Sequence, residues 1–183
     1  MTHRSPLRAC ALALVLLLAA CTGRPDGVEP VRGFEPARYL GTWHEIARLD
    51  HSFERGLSHV TATYTRRPDG AIGVVNRGLD ARTCRWKQAD GRAVFQEGEG
   101  VGSLSVTFFW PFAGGYHIVE LDPDYRWALV SGPSRSYLWI LARQPDLPQD
   151  ARDRLVQRAR SLGFATEALI WVDQSPGRCP DAA

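Results

Sequence analysis

Cysteine offers the most distinctive chemistry in this chain, and its four copies, Cys10, Cys21, Cys84 and Cys179, stand in no CxxC arrangement. Zinc takes its ligands from closely spaced Cys and His pairs, so this scatter does not suit a metal site. His44, His51, His59 and His117 are also placed singly, and surface or hydrogen-bonded histidines are the ordinary expectation. There is no Gly-x-Ser-x-Gly elbow, no His-Glu-x-x-His pair and no phosphate loop. Gly98, Gly100 and Gly102 alternate between two extended runs with no helix pattern after them, which reads as a flexible turn. The expectation from these residues is a protein that catalyses nothing and carries neither metal nor cofactor.

The N-terminal segment decides what the first two cysteines can do. Arg4 and Arg8 precede an unbroken apolar run from Ala9 to Ala20, which is the order of a secretory signal. The run is well short of the roughly 20 residues that a membrane-spanning helix needs. It ends in Leu18-Ala19-Ala20-Cys21, which resembles the lipobox of bacterial lipoproteins. That resemblance implies that residues 1–20 are removed and that Cys21 carries a diacylglyceryl thioether. Thr22 in place of Asp at the next position implies the outer membrane, with the domain facing the periplasm. Losing Arg4 and Arg8 takes the 22 basic and 20 acidic side chains to 20 and 20. A chain of near-zero net charge lacks the excess of Lys and Arg that phosphate backbones require, so nucleic acid is excluded as a partner class. Cys10 leaves with the signal. Cys84 and Cys179 then remain as a candidate disulfide in an oxidising compartment, with two free buried thiols as the alternative.

The elements that must position these residues are mostly strands. Thr22 to Gly33 holds Pro25, Gly27, Pro30 and Gly33 with little apolar content and reads as a tether, so residues 21–33 are expected to link the lipid to a domain over 34–175 with a tail at 176–183. Eight β-branched and aromatic runs follow, at 42–50, 58–67, 71–88, 91–97, 103–109, 115–121, 126–131 and 136–143. Asp69-Gly70 and Asp90-Gly91 are expected to be hairpin turns between consecutive runs. Val60, Ala62 and Tyr64 alternate with threonines, and Leu104, Val106 and Phe108 with Ser103, Ser105 and Thr107, so each strand has one apolar face. One helix is expected at 148–162, with Ala151, Leu155, Ala159 and Leu162 on one narrow stripe against the outside of the sheet and Gly163 ending it. Leu169 to Val172 reads as a short last strand.

Gly41-Thr42-Trp43 with Glu45-Ile46-Ala47-Arg48, Phe53-Glu54-Arg55-Gly56-Leu57, Leu121-Asp122-Pro123-Asp124-Tyr125 and Tyr137-Leu138-Trp139-Ile140-Leu141-Ala142-Arg143 occur in this order inside the eight-run pattern. Together they resemble the lipocalins, and within them the lipid-anchored bacterial members of the apolipoprotein D-like branch. The resemblance covers about residues 34 to 173. It implies an all-β fold, an eight-stranded antiparallel up-and-down barrel with one C-terminal α-helix packed outside, and a small apolar ligand, a fatty acid or lysophospholipid, stored or moved in the cell envelope. A weak homodimer is allowed. The departure of 121–125 from the family's Thr-Asp-Tyr wording leaves a segment that still suits a turn.

Within that frame Gly41, Trp43 and Arg143 are structural, the guanidinium lying over the indole at one mouth of the barrel. Strand parity then assigns Ala47, Val60, Ala62, Tyr64, Val74, Phe95, Val106, Phe108, Tyr137 and Trp139 to the inside as ligand-binding residues. Glu45 shares parity with Trp43 and, if inward, needs a partner or a ligand head group. Phe53, in the first interstrand loop, is a candidate lid. An enzyme acting on a lipid or isoprenoid inside the same barrel is the alternative, with Cys84 as its only thiol nucleophile.

Overall fold

The computed structural model describes residues 22–175 and Cys179. After a short helix α1 (Pro36–Tyr39) the chain runs through β1 (Gly41–Arg48), β2 (Leu57–Arg66), β3 (Ile72–Asp80), β4 (Arg85–Phe95), β5 (Ser103–Phe109), β6 (Phe112–Leu121), β7 (Trp127–Ser131) and β8 (Leu138–Ala142). Then come α2 (Gln149–Ser161), a 3₁₀ turn at Thr166–Ala168 and β9 (Ile170–Trp171). Each of the first eight strands pairs antiparallel with the next, and β1 pairs with both β2 and β8, so the sheet closes into a barrel. Closure satisfies every edge of the eight strands, and β9 adds a short flap outside β1.

Two apolar clusters divide the molecule. The inner one gathers Trp43, Tyr64, Ile72, Val74, Leu104, Ile118, Val130 and Leu141 in the lumen. The outer one places Ala151, Leu155 and Ala159 of α2 on Ile46, Leu129, Leu138 and Ile140. α2 therefore lies against the barrel wall, as its narrow stripe implies. Gly163 ends it at φ 82°, donating to the Arg160 carbonyl at 2.9 Å while the Phe164 amide donates to Ala159 at 3.1 Å. The disulfide expected between Cys84 and Cys179 is present, with the Cα atoms 5.5 Å apart.

Three expectations are corrected. Asp90-Gly91 is not a turn but the middle of β4, where Asp90 pairs with Val75 and Gly91 with Val74. The glycine is there for space, because a Cβ would stand 2.8 Å from the Phe108 ring. The run at 71–88 instead breaks at residues 81–84, where the Asp80 carboxylate accepts from the Arg82 and Thr83 amides and Cys84 adopts φ 53°. Cys84 thus sits in the β3–β4 turn and not within a strand. Lastly, Thr22 to Gly33 does not stand free as a tether. Val28 is fully buried in the outer cluster, and Val31 exchanges backbone hydrogen bonds with Ile118 and Gly102 at 2.8 and 2.9 Å. Valines at 28 and 31 are enough apolar surface to seat a Pro- and Gly-rich segment that has no periodicity of its own.

Candidate functional site

The lumen is built from alternate residues of the strands, and its two ends differ in chemistry. At the end where β1 starts and β8 stops, Arg143 closes the barrel. Its guanidinium carbon lies 4.1 Å from the centre of the Trp43 ring. Its nitrogens donate to the carbonyls of Thr42, Arg38 and Leu40 at 2.7–2.9 Å. Trp43 is wholly buried and donates Nε1–H to the Tyr39 carbonyl at 2.9 Å. Gly41, at φ 92°, carries the chain from α1 into β1 beside Arg143. This end is a plug.

Above it lie three tyrosines. Tyr116 Oη is 2.7 Å from Tyr39 Oη and 2.8 Å from Tyr64 Oη. Two contacts use two of the three hydroxyl protons, which leaves one for a polar atom in the adjoining space. Burial holds all three phenols above their ordinary range, so they stay protonated donors. The cavity that they share with Phe34, Ile72, Ala93, Phe95, Leu104 and Val106 has a free volume of about 20 Å³. That is room for about one water molecule.

Toward the other end, Phe108 and Trp139 pack on the inner cluster yet remain partly accessible, while Val106 lies between them and the tyrosines. Inward-facing side chains of a closed barrel can be reached only through an open mouth. Around that mouth stand four ionisable groups that composition does not reveal. Arg48 donates to Glu45 Oε1 at 2.6 Å and to the Glu54 carbonyl at 2.8 Å, and all three side chains are buried. Trp139 Nε1–H donates to Glu54 Oε2 at 3.1 Å. Desolvation first, and then the proximity of Glu54, pushes the Glu45 carboxyl well above the ordinary range. Burial likewise raises Glu54. One arginine facing two buried carboxyls leaves the pair short of positive charge. His51 lies 3.2 Å from Glu54 Oε2 but out of line for a hydrogen bond, and burial together with Arg48 lowers it to about 4. It is therefore a neutral ring at pH 7, stacked on Phe53 at 4.2 Å and near Tyr137 and Trp139 at 5.9 and 5.1 Å.

The inward assignments can be placed one by one. Ala62, Tyr64, Val74, Phe95, Val106, Phe108 and Trp139 belong to the inner cluster. Val60 is buried beside the irregularity between Ser58 and Thr61, its Cγ2 against Gly78. Tyr137 precedes β8 and stacks at the mouth. Ala47 is a correction, since it packs in the outer cluster with α2. The cause is a bulge: Glu45 pairs with Leu141 but Ala47 with Ile140, so Ile46 is an extra residue and parity reverses after it. The same bulge turns Arg48 inward opposite Trp139, a residue that strand parity assigns to the outside. No residue type between Trp43 and Arg48 announces a bulge; the polar Glu45 and Arg48 flanking an apolar pair are the signal that was there. Phe53 is mostly exposed over His51. Cys21 lies outside the described residues. Cys84, being disulfide-bonded, is not a free nucleophile.

Comparison with known proteins gives concordant results. A family profile described as a lipocalin-like domain matches residues 34–174. The chain is 48% identical over 170 residues to the outer membrane lipoprotein Blc of Vibrio cholerae, covering 92% of this chain and 99% of that protein. It is 46% identical over 173 residues to the Escherichia coli K12 protein of the same name, covering 94% and 97%. Temperature-induced lipocalin-1 of Arabidopsis thaliana is 34% identical over 164 residues, covering 81% and 83%. Among solved structures, insecticyanin from the tobacco hornworm Manduca sexta superposes with a TM-score of 0.70 at 18% identity, covering 86% of this chain and 90% of that one.

Proposed function

The chain belongs to the lipocalin-like family, and from that premise we propose that it is a lipid-anchored outer-membrane lipoprotein, facing the periplasm, that holds one fatty acid or lysophospholipid in its lumen. The observation that carries the reading is the set of inward apolar side chains, Val106, Phe108 and Trp139 among them, that remain partly accessible toward the mouth of a closed barrel. An alkyl chain entering there gains about 0.8 kcal/mol per buried CH₂. The tyrosine floor limits how far it goes, because the space beyond Val106 holds little more than a water. At the mouth, Arg48, Glu45 and Glu54 form a polar girdle against which a head group settles. The relatives named as outer membrane lipoproteins Blc support the location, and Cys21 is the residue to which the lipid attaches. Ligand role, and not catalysis, is the reading because Cys84 is tied to Cys179, the Glu45 carboxyl accepts from Arg48 and the Glu54 carboxyl accepts from Trp139.

Native mass spectrometry of the protein extracted gently from membranes tests this. One co-purifying fatty acid or lysophospholipid per chain is the expected result, lost on delipidation and restored by oleic acid or lysophosphatidylcholine. A delipidated protein that takes up neither, and whose tryptophan emission neither lipid changes, rejects the reading.

A further inference from the structure

Three large apolar side chains stand in solvent at a single hairpin tip: Phe109 is 76%, Trp110 89% and Phe112 73% exposed. They form the turn between β5 and β6, with Phe109 paired to Phe112. Consecutive antiparallel strands turn at alternate ends of the barrel, so this tip lies at the end opposite the Trp43–Arg143 plug. It shares that end with the β1–β2 loop of His51 and Phe53, at the open mouth. Contiguous exposed aromatics mark an interaction site, since scattered single ones are the rule on an inert surface.

The described chain begins on the same hairpin. Gln96 Nε2 donates to the Thr22 carbonyl at 3.0 Å, and His117 Nε2 is 2.7 Å from the Gly23 carbonyl oxygen. A Cβ on Gly115 would stand 2.9 Å from the Thr22 oxygen, so only glycine lets the segment lie so close to β6. Gly115 is three residues along the strand from Phe112, about 10 Å at the rise of a β-strand. Cys21 is the residue before Thr22 in the sequence. Val94, which reaches Gly115 through Ser105 in the sheet, is exposed on this flank too. The point where the chain leaves the barrel and the aromatic tip therefore lie on one side of the molecule.

We propose that the Phe109–Phe112 tip is a membrane-docking surface, inserting its rings into the interface of the bilayer that holds the acyl chains of Cys21. The inference rests on the lipid-anchored reading and adds an orientation to it. Aromatic side chains favour the boundary between head groups and hydrocarbon. Three of them bind a bilayer weakly from solution, but an anchor on the residue before Thr22 raises their effective concentration at the surface, so a weak contact becomes a persistent one. Docking by this tip brings the open mouth to the membrane and the plugged end away from it. A lipid then passes between bilayer and lumen along Phe109 and Phe108 without crossing bulk water.

The acylated protein, its diacylglyceryl mass confirmed, is reconstituted in phosphatidylethanolamine–phosphatidylglycerol vesicles with and without brominated acyl chains. The difference in emission between wild type and Trp110→Phe isolates Trp110, and being exposed, the substitution leaves the fold intact. Bromolipid quenching and a blue shift of that difference signal are expected, both lost in the Phe109→Ser, Phe112→Ser double variant. An unquenched, water-like Trp110 in protein of confirmed acyl mass overturns the docking and leaves the lipoprotein reading standing; a missing acyl mass overturns the lipoprotein reading itself. Sedimentation of the Cys21→Ser protein covers the competing occupant: a dimer that the double variant abolishes makes the tip an interface between copies and overturns the proposal.

Discussion

Glu45 and Arg48 are three residues apart in one strand and would face opposite ways if β1 were regular, yet they meet inside the barrel at 2.6 Å. Their contact is buried, so removing one partner strands the other. Arg48→Met is expected to destabilise the fold by about 3–5 kcal/mol, because Glu45 and Glu54 would then be left with no cation. Denaturant midpoints check this. Trp43→Ala should cost a similar amount, about 3–5 kcal/mol, with ligand preference unchanged, since the ring is wholly buried in the plug and not in the reachable part of the lumen. Equal midpoints with binding abolished would reverse that assignment. His51 supplies a pH dependence. Its pKa is lowered to about 4 in the fold, below the value near 6.5 of the unfolded chain, so between those limits the unfolded state holds the extra proton. Its contribution to stability is complete above pH 6.5 and is lost as the pH falls toward 4. Glu45 and Glu54, being raised, act in the opposite sense, stabilising the fold relatively more as they take up protons. His51→Gln isolates the histidine: its stability should fall less than that of wild type between pH 7 and 5, read from chemical denaturation.

At the scale of elements, the bulge in β1 and the turn between β3 and β4 decide which residues do what. Ala47 packs on α2 outside the barrel, so Ala47→Leu is expected to overpack that contact and cost about 1–3 kcal/mol with no change in lipid affinity. Phe108→Ala should do the reverse, weakening lipid binding more than stability, because that side chain is inward and only partly covered. Paired melting and lipid titrations distinguish the two. The turn at residues 81–84 carries Cys84, and its bond to Cys179 spans a sequence separation of 95. Loop-closure entropy for that length amounts to about 4–5 kcal/mol, so reduction should lower the thermal midpoint while the circular dichroism of the barrel persists at low temperature. Collapse of the strand signal on reduction alone would show that the bond is needed to form the barrel, and not merely to stabilise it.

For the whole molecule, the single anchor is the point at issue. Among the described residues no helix is long and apolar enough to cross a membrane, and the outer wall carries charged pairs such as Arg66–Glu99 and Arg154–Glu120. Cys21→Ser is therefore expected to leave the protein in the soluble periplasmic fraction, the aromatic tip alone holding it too weakly to survive washing. Recovery in the membrane pellet after a high-salt wash would contradict the lipid as the anchor.

Period and punctuation along the chain are enough to determine a series of antiparallel strands with a helix outside, and the resemblance to the lipocalins is what implies their closure into an eight-stranded barrel. Alternation at Val60 to Thr65 and Ser103 to Phe108 can be satisfied only by strands with one buried face, and the stripe Ala151, Leu155, Ala159 only by a helix lying on a wall. The pairing of Cys84 with Cys179 was legible for a similar reason, as two thiols remain once Cys10 and Cys21 are accounted for. What depends on one residue more or fewer was not legible. Asp90-Gly91 has the composition of a turn, but the Phe108 ring on the neighbouring strand β5 needs the missing Cβ, and tertiary packing placed the glycine in mid-strand. Ile46 bulges because β1 must pair with β8 on one side while seating both Ile46 and Ala47 under α2, a demand that arises only when the barrel has closed. The segment after Thr22 looks like a linker because its few valines have no period, and only the surface formed by β5, β6 and α2 gives them somewhere to go. Local sequence determines which elements form; faces, phases and docking are set by contacts between residues far apart in the chain, and those exist only in the folded barrel.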